Sequence, residues 1–109
     1  MADKKVSFDY DGVLTIPKVA DTFDRWKATG DTMYIITARQ DRMMGPVYQF
    51  AQEHGIPRSR VINTNGQDKW HTIKRLGIDK HVDNNQHQLA LIRANTSAAT
   101  WSVSDILHK

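Results

Sequence analysis

The chain has 109 residues, 39% of them hydrophobic, which suits a single compact domain over 1–109 that buries about two-thirds of its unfolded surface and leaves no room for a second. Cysteine is absent, so disulfides, thiolate zinc sites and cysteine nucleophiles are excluded. The formal net charge of +3 is a mild basic bias that helps to attract phosphorylated or nucleic-acid partners without demanding them.

The opening Met1-Ala2-Asp3-Lys4-Lys5 lacks the apolar core of a signal peptide, and no apolar run approaches the roughly 20 residues of a membrane span. A cytoplasmic protein with no membrane association is expected. The first predicted strand, Val6 to Phe8, runs directly into Asp9, Asp11 and Gly12. Side chains two apart on an extended segment project to one side, so the two carboxylates crowd their charges unless a hard cation or a proton separates them. Oxygen-only ligands on a tight turn favour Mg²⁺. A calcium loop fits badly, because an EF-hand needs an oxygen ligand where Val13 sits and its glycine two positions beyond Gly12.

Val19, Phe23 and Trp26 then fall at helical spacing as a core-facing stripe that ends before Gly30. A second strand, Met33 to Thr37, delivers Thr37-Ala38-Arg39 at its end. The next helix is predicted to start at Pro46 and stop at Gly55, with Met43 and Met44 packing as a first helical turn, or else exposed on an irregular stretch from Gln40 to Met44 beside Thr37. Val61 to Asn63 is the third strand, and Arg58 and Arg60 before it belong at its far end from any site. Arg39, Arg42, Lys69 and Lys74 are better placed to matter. Asn65-Gly66 marks a turn, Asp68 is expected to cap a third helix with Ile73 and Leu76 inward, and Lys69 falls in its first turn. Lys74 lies about 7 to 8 Å further along that helix, so Lys69 is the better placed cation. His81 to Asp83 forms the fourth strand, followed by Asn84 and Asn85. A helix over Gln86 to Asn95 and a fifth strand over Ala99 to Val103 complete the pattern. The five histidines show no zinc-ligand spacing and are assigned to surface or packing.

Alternating strands and helices predict an α/β, three-layer Rossmann-like fold with a parallel five-stranded sheet. Ligands bind such sheets beyond the carboxyl ends of the strands, where all the polar motifs above fall. Their order is carboxylate pair, hydroxyl, lysine, then aspartate with amide. It resembles the haloacid dehalogenase-like (HAD) superfamily of phosphohydrolases over about Val6 to Val103.

The resemblance implies a Mg²⁺-dependent phosphomonoesterase working through an aspartyl phosphate. It makes Asp9 the nucleophile, Asp11 the general acid and base, and Lys69 the catalytic cation. Thr37, Ala38 and Arg39 would bind the phosphorylated substrate, and Asp9, Asp11, Asp83 and Asn84 would hold the metal. The fourth motif departs from the commoner pair of adjacent acids, because Asn84 follows Asp83. Neither the Asp11 to Val19 segment nor the Thr37 to Lys69 segment is long enough for a cap domain. An open site is expected, acting on large substrates such as a nucleotide or nucleic-acid end, or covered by a neighbour in a homo-oligomer. Two other readings are an HAD-like binding module with little turnover, and a metal-dependent nuclease whose carboxylates would have to hold two ions.

Overall fold

The computed structural model describes residues 4–108, so Met1, Ala2 and Asp3 of the opening segment and the terminal Lys109 lie outside the described residues. The described strands are β1 (Lys5–Phe8), β2 (Thr32–Thr37), β3 (Val61–Asn63), β4 (Lys80–Asp83) and β5 (Ala99–Ser102). Five helices alternate with them: α1 (Pro17–Ala28), α2 (Gly45–Glu53), α3 (Trp70–Leu76), α4 (Gln86–Asn95) and α5 (Val103–Leu107). All strand pairs are parallel, in the order β3-β2-β1-β4-β5. This is the three-layer α/β arrangement expected, and neither the β1 to α1 nor the β2 to α3 connection holds an inserted domain.

Alternation along each strand decides the layers. Val6 and Phe8, with Met33 and Ile35, belong to a core under α1, α2 and α5 that includes Val19, Phe23, Val47 and Ala51. Ile36 belongs to a second core under α3 and α4, with Ile73 and Ile92. The chain runs outward from β1 through β2 to β3, then returns to pair β4 on the other side of β1. Right-handed crossovers taken in opposite directions put their helices on opposite faces, which is the division seen.

Aromatic rings fill the first core. Phe23 is fully buried and meets Phe8 and Phe50 edge-on at centroid distances of 5.2 and 5.8 Å. Proline in the first turn starts both α1 and α2. Helix α2 stops ahead of Gly55, whose φ of 72° suits a residue without a side chain. The methionine pair does not extend α2: Asp41–Met43 forms a separate short 3-10 turn, Met43 is 49% exposed, and Met44 is buried in the core. The fifth strand also ends one residue earlier than expected. Ser102 accepts from the Asp105 N–H at 3.1 Å while its own N–H donates to the Asp105 carboxylate at 2.8 Å, so Val103 opens α5 instead. No helix among the described residues is long and apolar enough to cross a membrane.

Truncating the central ring of the larger core tests this packing. Phe23→Ala removes a fully enclosed side chain between two edge-on partners and lowers unfolding stability by about 3–5 kcal/mol. Urea denaturation measures it, and a loss under about 1 kcal/mol would show that the core closes over the gap.

Candidate active site at the strand switch point

The strand order reverses between β1 and β4, and the crevice at their carboxyl ends is where a parallel sheet has room for a ligand. Asp9 leaves β1 there. Its N–H still bonds the Val82 carbonyl at 3.0 Å, which extends the β1 to β4 ladder by one residue and fixes the side chain. One carboxylate oxygen accepts the Tyr10 N–H at 2.8 Å, and the other lies 3.2 Å from Lys69 Nζ. Asp83 ends β4, fully buried, and receives the same ammonium at 2.6 Å. Lys69 thus bridges two buried carboxylates from neighbouring strands.

Lys69 reaches this point from just outside α3 rather than from its first turn. It occupies the flanking position before Trp70, and Asp68 does not cap the helix. Gln88 of α4 does the anchoring instead: its amide oxygen accepts the Lys69 N–H at 3.0 Å and its amide nitrogen donates to Asp68 at 3.0 Å. Lys74 is exposed and lines a depression with Gly77, Asp79 and Asn95, away from the carboxylates.

Two further buried groups, absent from the sequence-based set, complete the network. His81 Nε2 donates to the Asp83 oxygen that also receives Lys69, at 2.8 Å, and the Ser7 hydroxyl lies 2.6 Å from His81 Nδ1. Ser7 and His81 are register partners on β1 and β4. The signal was present in the spacing: Ser7 and His81 each lie two residues before a site aspartate, hence on the same side of the strand. The other Asp83 oxygen accepts the Asn85 N–H at 3.0 Å, so three of its roughly four acceptor positions are filled.

Asp11 turns the other way. The wide turn Tyr10–Leu14 holds Asp11 extended and Gly12 at a φ of 66°, and a Cβ at Gly12 would also overlap the Asn84 amide. The exposed Asp11 carboxylate is clasped by Arg39, Nε to Oδ2 at 2.9 Å and Nη2 to Oδ1 at 2.7 Å. Arg39 also donates to the Met43 carbonyl and stands over the Tyr10 ring. Its donors therefore serve Asp11 and the backbone in this structure.

A cleft of about 420 Å³ opens over these groups, lined by Asp9, Asp11, Thr37, Ala38, Lys69 and Asn84 among others. Thr37 is buried at the end of β2, and its hydroxyl has no protein partner among the described residues. The side chains of Asn84 and Gln67, also in the lining, are likewise unpartnered among the described residues.

The charges follow from these contacts. Burial pushes the Asp9 carboxyl above its ordinary value, more than Lys69 lowers it, and Asp83 adds to the rise. Burial also opposes charge on Asp83, but the hydrogen bonds and charges of His81 and Lys69 outweigh it and hold that carboxyl well below the usual range. The Arg39 hydrogen bonds hold Asp11 low as well. Two buried carboxylates thus share one lysine, and Asp83 has His81 beside it as well. Asp9 and Asn84, with Asp11 beside them, present oxygen donors that fit a hard cation such as Mg²⁺, which keeps several of its own waters. Among the described residues, no three acidic or histidine side chains converge into a full protein cage.

Comparison with protein-family models and with curated proteins finds no match for this chain.

The opposite shifts of Asp9 and Asp83 predict opposite mutational effects. A raised value means that the folded state binds the proton more tightly than the unfolded chain, so a charged Asp9 is a net cost at neutral pH. Asp9→Asn raises the thermal midpoint at pH 7. Asp83→Asn strands Lys69 and His81, and stability falls by roughly 3–5 kcal/mol. The depressed Asp83 stabilises the fold above the unfolded carboxylate range near about pH 4, and that stability is lost as pH falls through its lower folded value, to which the exposed Asp11 adds little. Calorimetry at pH 7, with a wild-type acid titration, checks all three; a stabilising Asp83→Asn would refute the charge assignment.

Proposed function

We propose that this domain is a minimal, capless phosphomonoesterase of the haloacid dehalogenase-like kind that works through an aspartyl phosphate on Asp9 with Mg²⁺ as cofactor. The observation that carries the reading is Lys69 joining Asp9 to Asp83 at the floor of an open cleft, beside the unpartnered Thr37 hydroxyl. Phosphoryl transfer needs an in-line nucleophile, a proton for the leaving oxygen and positive charge around the transferred group, and each has a candidate here.

A carboxylate oxygen of Asp9 attacks phosphorus while the bond from phosphorus to the leaving oxygen breaks. The leaving alcohol takes a proton from Asp11. Water then attacks the aspartyl phosphate and gives a proton back to Asp11, which releases inorganic phosphate and restores Asp9. Lys69 holds Asp9 in place and balances charge on the phosphoryl oxygens, while Thr37, with the backbone at Ala38, donates to them. The Asp9 side chain, the Asp11 backbone carbonyl and Asn84 would hold the metal, with Asp83 adding charge from behind; when bound, Mg²⁺ would supply neutralisation of the phosphate and the nucleophile.

Arg39 has a different part from the direct phosphate contact expected of it. Its paired contact with Asp11 orients that carboxylate and keeps it ionised, so Asp11 carries a proton only once this contact loosens. The same contact favours the second reading, a binding module with little turnover. A two-ion nuclease has less support, because the described residues offer no cluster of three acids around the cleft.

Hydrolysis of p-nitrophenyl phosphate with Mg²⁺ is the direct assay. Asp9→Asn, which keeps the fold, abolishes turnover; substantial activity in that variant would overturn the mechanism, and an inactive wild type would favour the binding module. Lys69→Ala loses at least about tenfold more activity than Lys74→Ala, equivalent to roughly 1.4 kcal/mol of transition-state stabilisation. Equal losses would remove Lys69 from its role.

A further inference from the structure

The face of the sheet under α1, α2 and α5 carries a second set of groups, gathered towards the edge where the strands begin and so opposite the carboxylate cleft. The ends of α1 and α2 meet there, with Lys27 Nζ standing 3.3 Å from where a Cβ at Gly55 would lie. To one side of that junction, Arg58 lies over the Tyr48 ring at 3.7 Å, and both line a cleft of about 270 Å³. To the other side, Arg25, Trp26 and Trp101 line a cleft of about 250 Å³, and Lys80 Nζ lies 3.9 and 4.9 Å from the two indole rings. Arg58 precedes β3 and Trp101 lies in β5, the two outermost strands, so the clefts stand on the order of 19 Å apart at about 4.8 Å per strand.

The exposed cations of this edge lack acidic partners. None of the ion pairs among the described residues includes Arg25, Lys27 or Arg58. Asp21, a turn before Arg25, does not hold it, and Arg25 donates to Thr22 at 2.8 Å instead. The other nearby carboxylates face elsewhere: Asp24 is held by His54 at 2.7 Å, Glu53 accepts from Gln49 at 3.3 Å, and Asp31 accepts the Lys4 N–H at 3.3 Å. Cations in the last turn of α1 suit the negative end of a helix, but Arg58 precedes a strand and Lys80 opens one, so the helix dipole does not account for them.

Cations interleaved with aromatic rings match what a single nucleic-acid strand offers. Its phosphates seek the cations, while unpaired bases stack on aromatic faces and on guanidinium planes. A duplex hides those base faces. The span of about 19 Å corresponds to five or six nucleotides at roughly 3.4 Å each. An anionic bilayer would meet the same charge, but it takes up apolar side chains that stand out from the surface. Trp26 and Trp101 are half-buried walls, Met43 is on the opposite edge, and Leu107, next to Ile106 of the second cleft, is the one exposed large apolar side chain nearby.

We infer that this edge is a docking surface for single-stranded nucleic acid, with bases against the two aromatic-walled clefts and the backbone over Arg58, Lys27 and Arg25. The surface is separate from the carboxylate cleft and does not depend on the phosphomonoesterase reading.

The test is fluorescence anisotropy of an internally labelled oligothymidine of about 20 nucleotides without terminal phosphates, in EDTA so that no metal draws it to the cleft. The expected result is saturable binding that weakens about twentyfold between 50 and 200 mM salt, the slope for three single-strand phosphate contacts. Lys27→Glu with Arg58→Glu weakens it by at least about tenfold, whereas Lys18→Glu with Arg42→Glu, an equal charge change on the cleft edge, weakens it by less than about threefold. Trp101→Ala costs about fivefold or more and Trp101→Phe retains binding, as a stacking platform requires; if Trp101→Ala fails to fold, the two charge reversals decide alone. A duplex of the same length binds at least about fivefold more weakly. Equal effects of the two double reversals would assign the binding to net charge and overturn the proposal. So would a duplex bound as tightly as the single strand, binding to phosphatidylserine vesicles without binding to the oligonucleotide, or no binding at 50 mM salt.

Discussion

Two buried carboxylates held by one lysine dominate this molecule. Asp9 and Asp83 are brought within reach of each other by the pairing of β1 with β4, and Lys69 lies 3.2 and 2.6 Å from them. Removing such charges from water is expensive, and the attraction repays it only where further hydrogen bonds fill the remaining positions. Asp83 has those bonds, from His81 and Asn85, and is held ionised; Asp9 has fewer and is pushed towards protonation. The imbalance leaves the less satisfied carboxylate lining the cleft and the better satisfied one buried behind it.

The rest of the fold serves that arrangement. Ser7 and His81 would be poor choices for the interior of a parallel sheet if only apolar packing mattered. Facing each other across β1 and β4, they satisfy one another and pass a hydrogen bond on to Asp83. Gln88 ties the approach to α3 onto α4, so the backbone of Lys69 is fixed as firmly as its ammonium. A buried polar network of this kind is stable only when its members are satisfied, and here each of these contacts closes a requirement of its neighbour.

Asp11 and Arg39 form a separate, exposed unit at the rim. Their two parallel hydrogen bonds join the turn after β1 to the loop after β2, with the Met43 carbonyl as a third anchor. The pair stands more than a fifth exposed on both sides, so water screens it and it contributes little to stability. Its importance is orientation. It sets where the Asp11 carboxylate points and occupies Arg39 donors with Asp11 and the Met43 carbonyl.

The sequence by itself determined the architecture and which polar residues gather at one edge of the sheet. Period-two apolar runs followed by helical stripes specify strands and helices whatever their surroundings, and polar residues immediately after strands must gather at one edge of a parallel sheet. Asp9, Thr37, Lys69, Asp83 and Asn84 were legible on those grounds, as were helix α4 and the inward stripe of α1. Local boundaries were less so: the Ser102 to Asp105 capping box that opens α5 and the isolated turn at Asp41–Met43 depend on side-chain contacts that compete with strand and helix propensity. Only the tertiary structure decided who partners whom. That Lys69 serves two carboxylates, that Asp11 turns to Arg39, and that Ser7 and His81 support Asp83 all depend on strand order and register. Those bring together residues up to 74 positions apart, and no local pattern encodes such a distance.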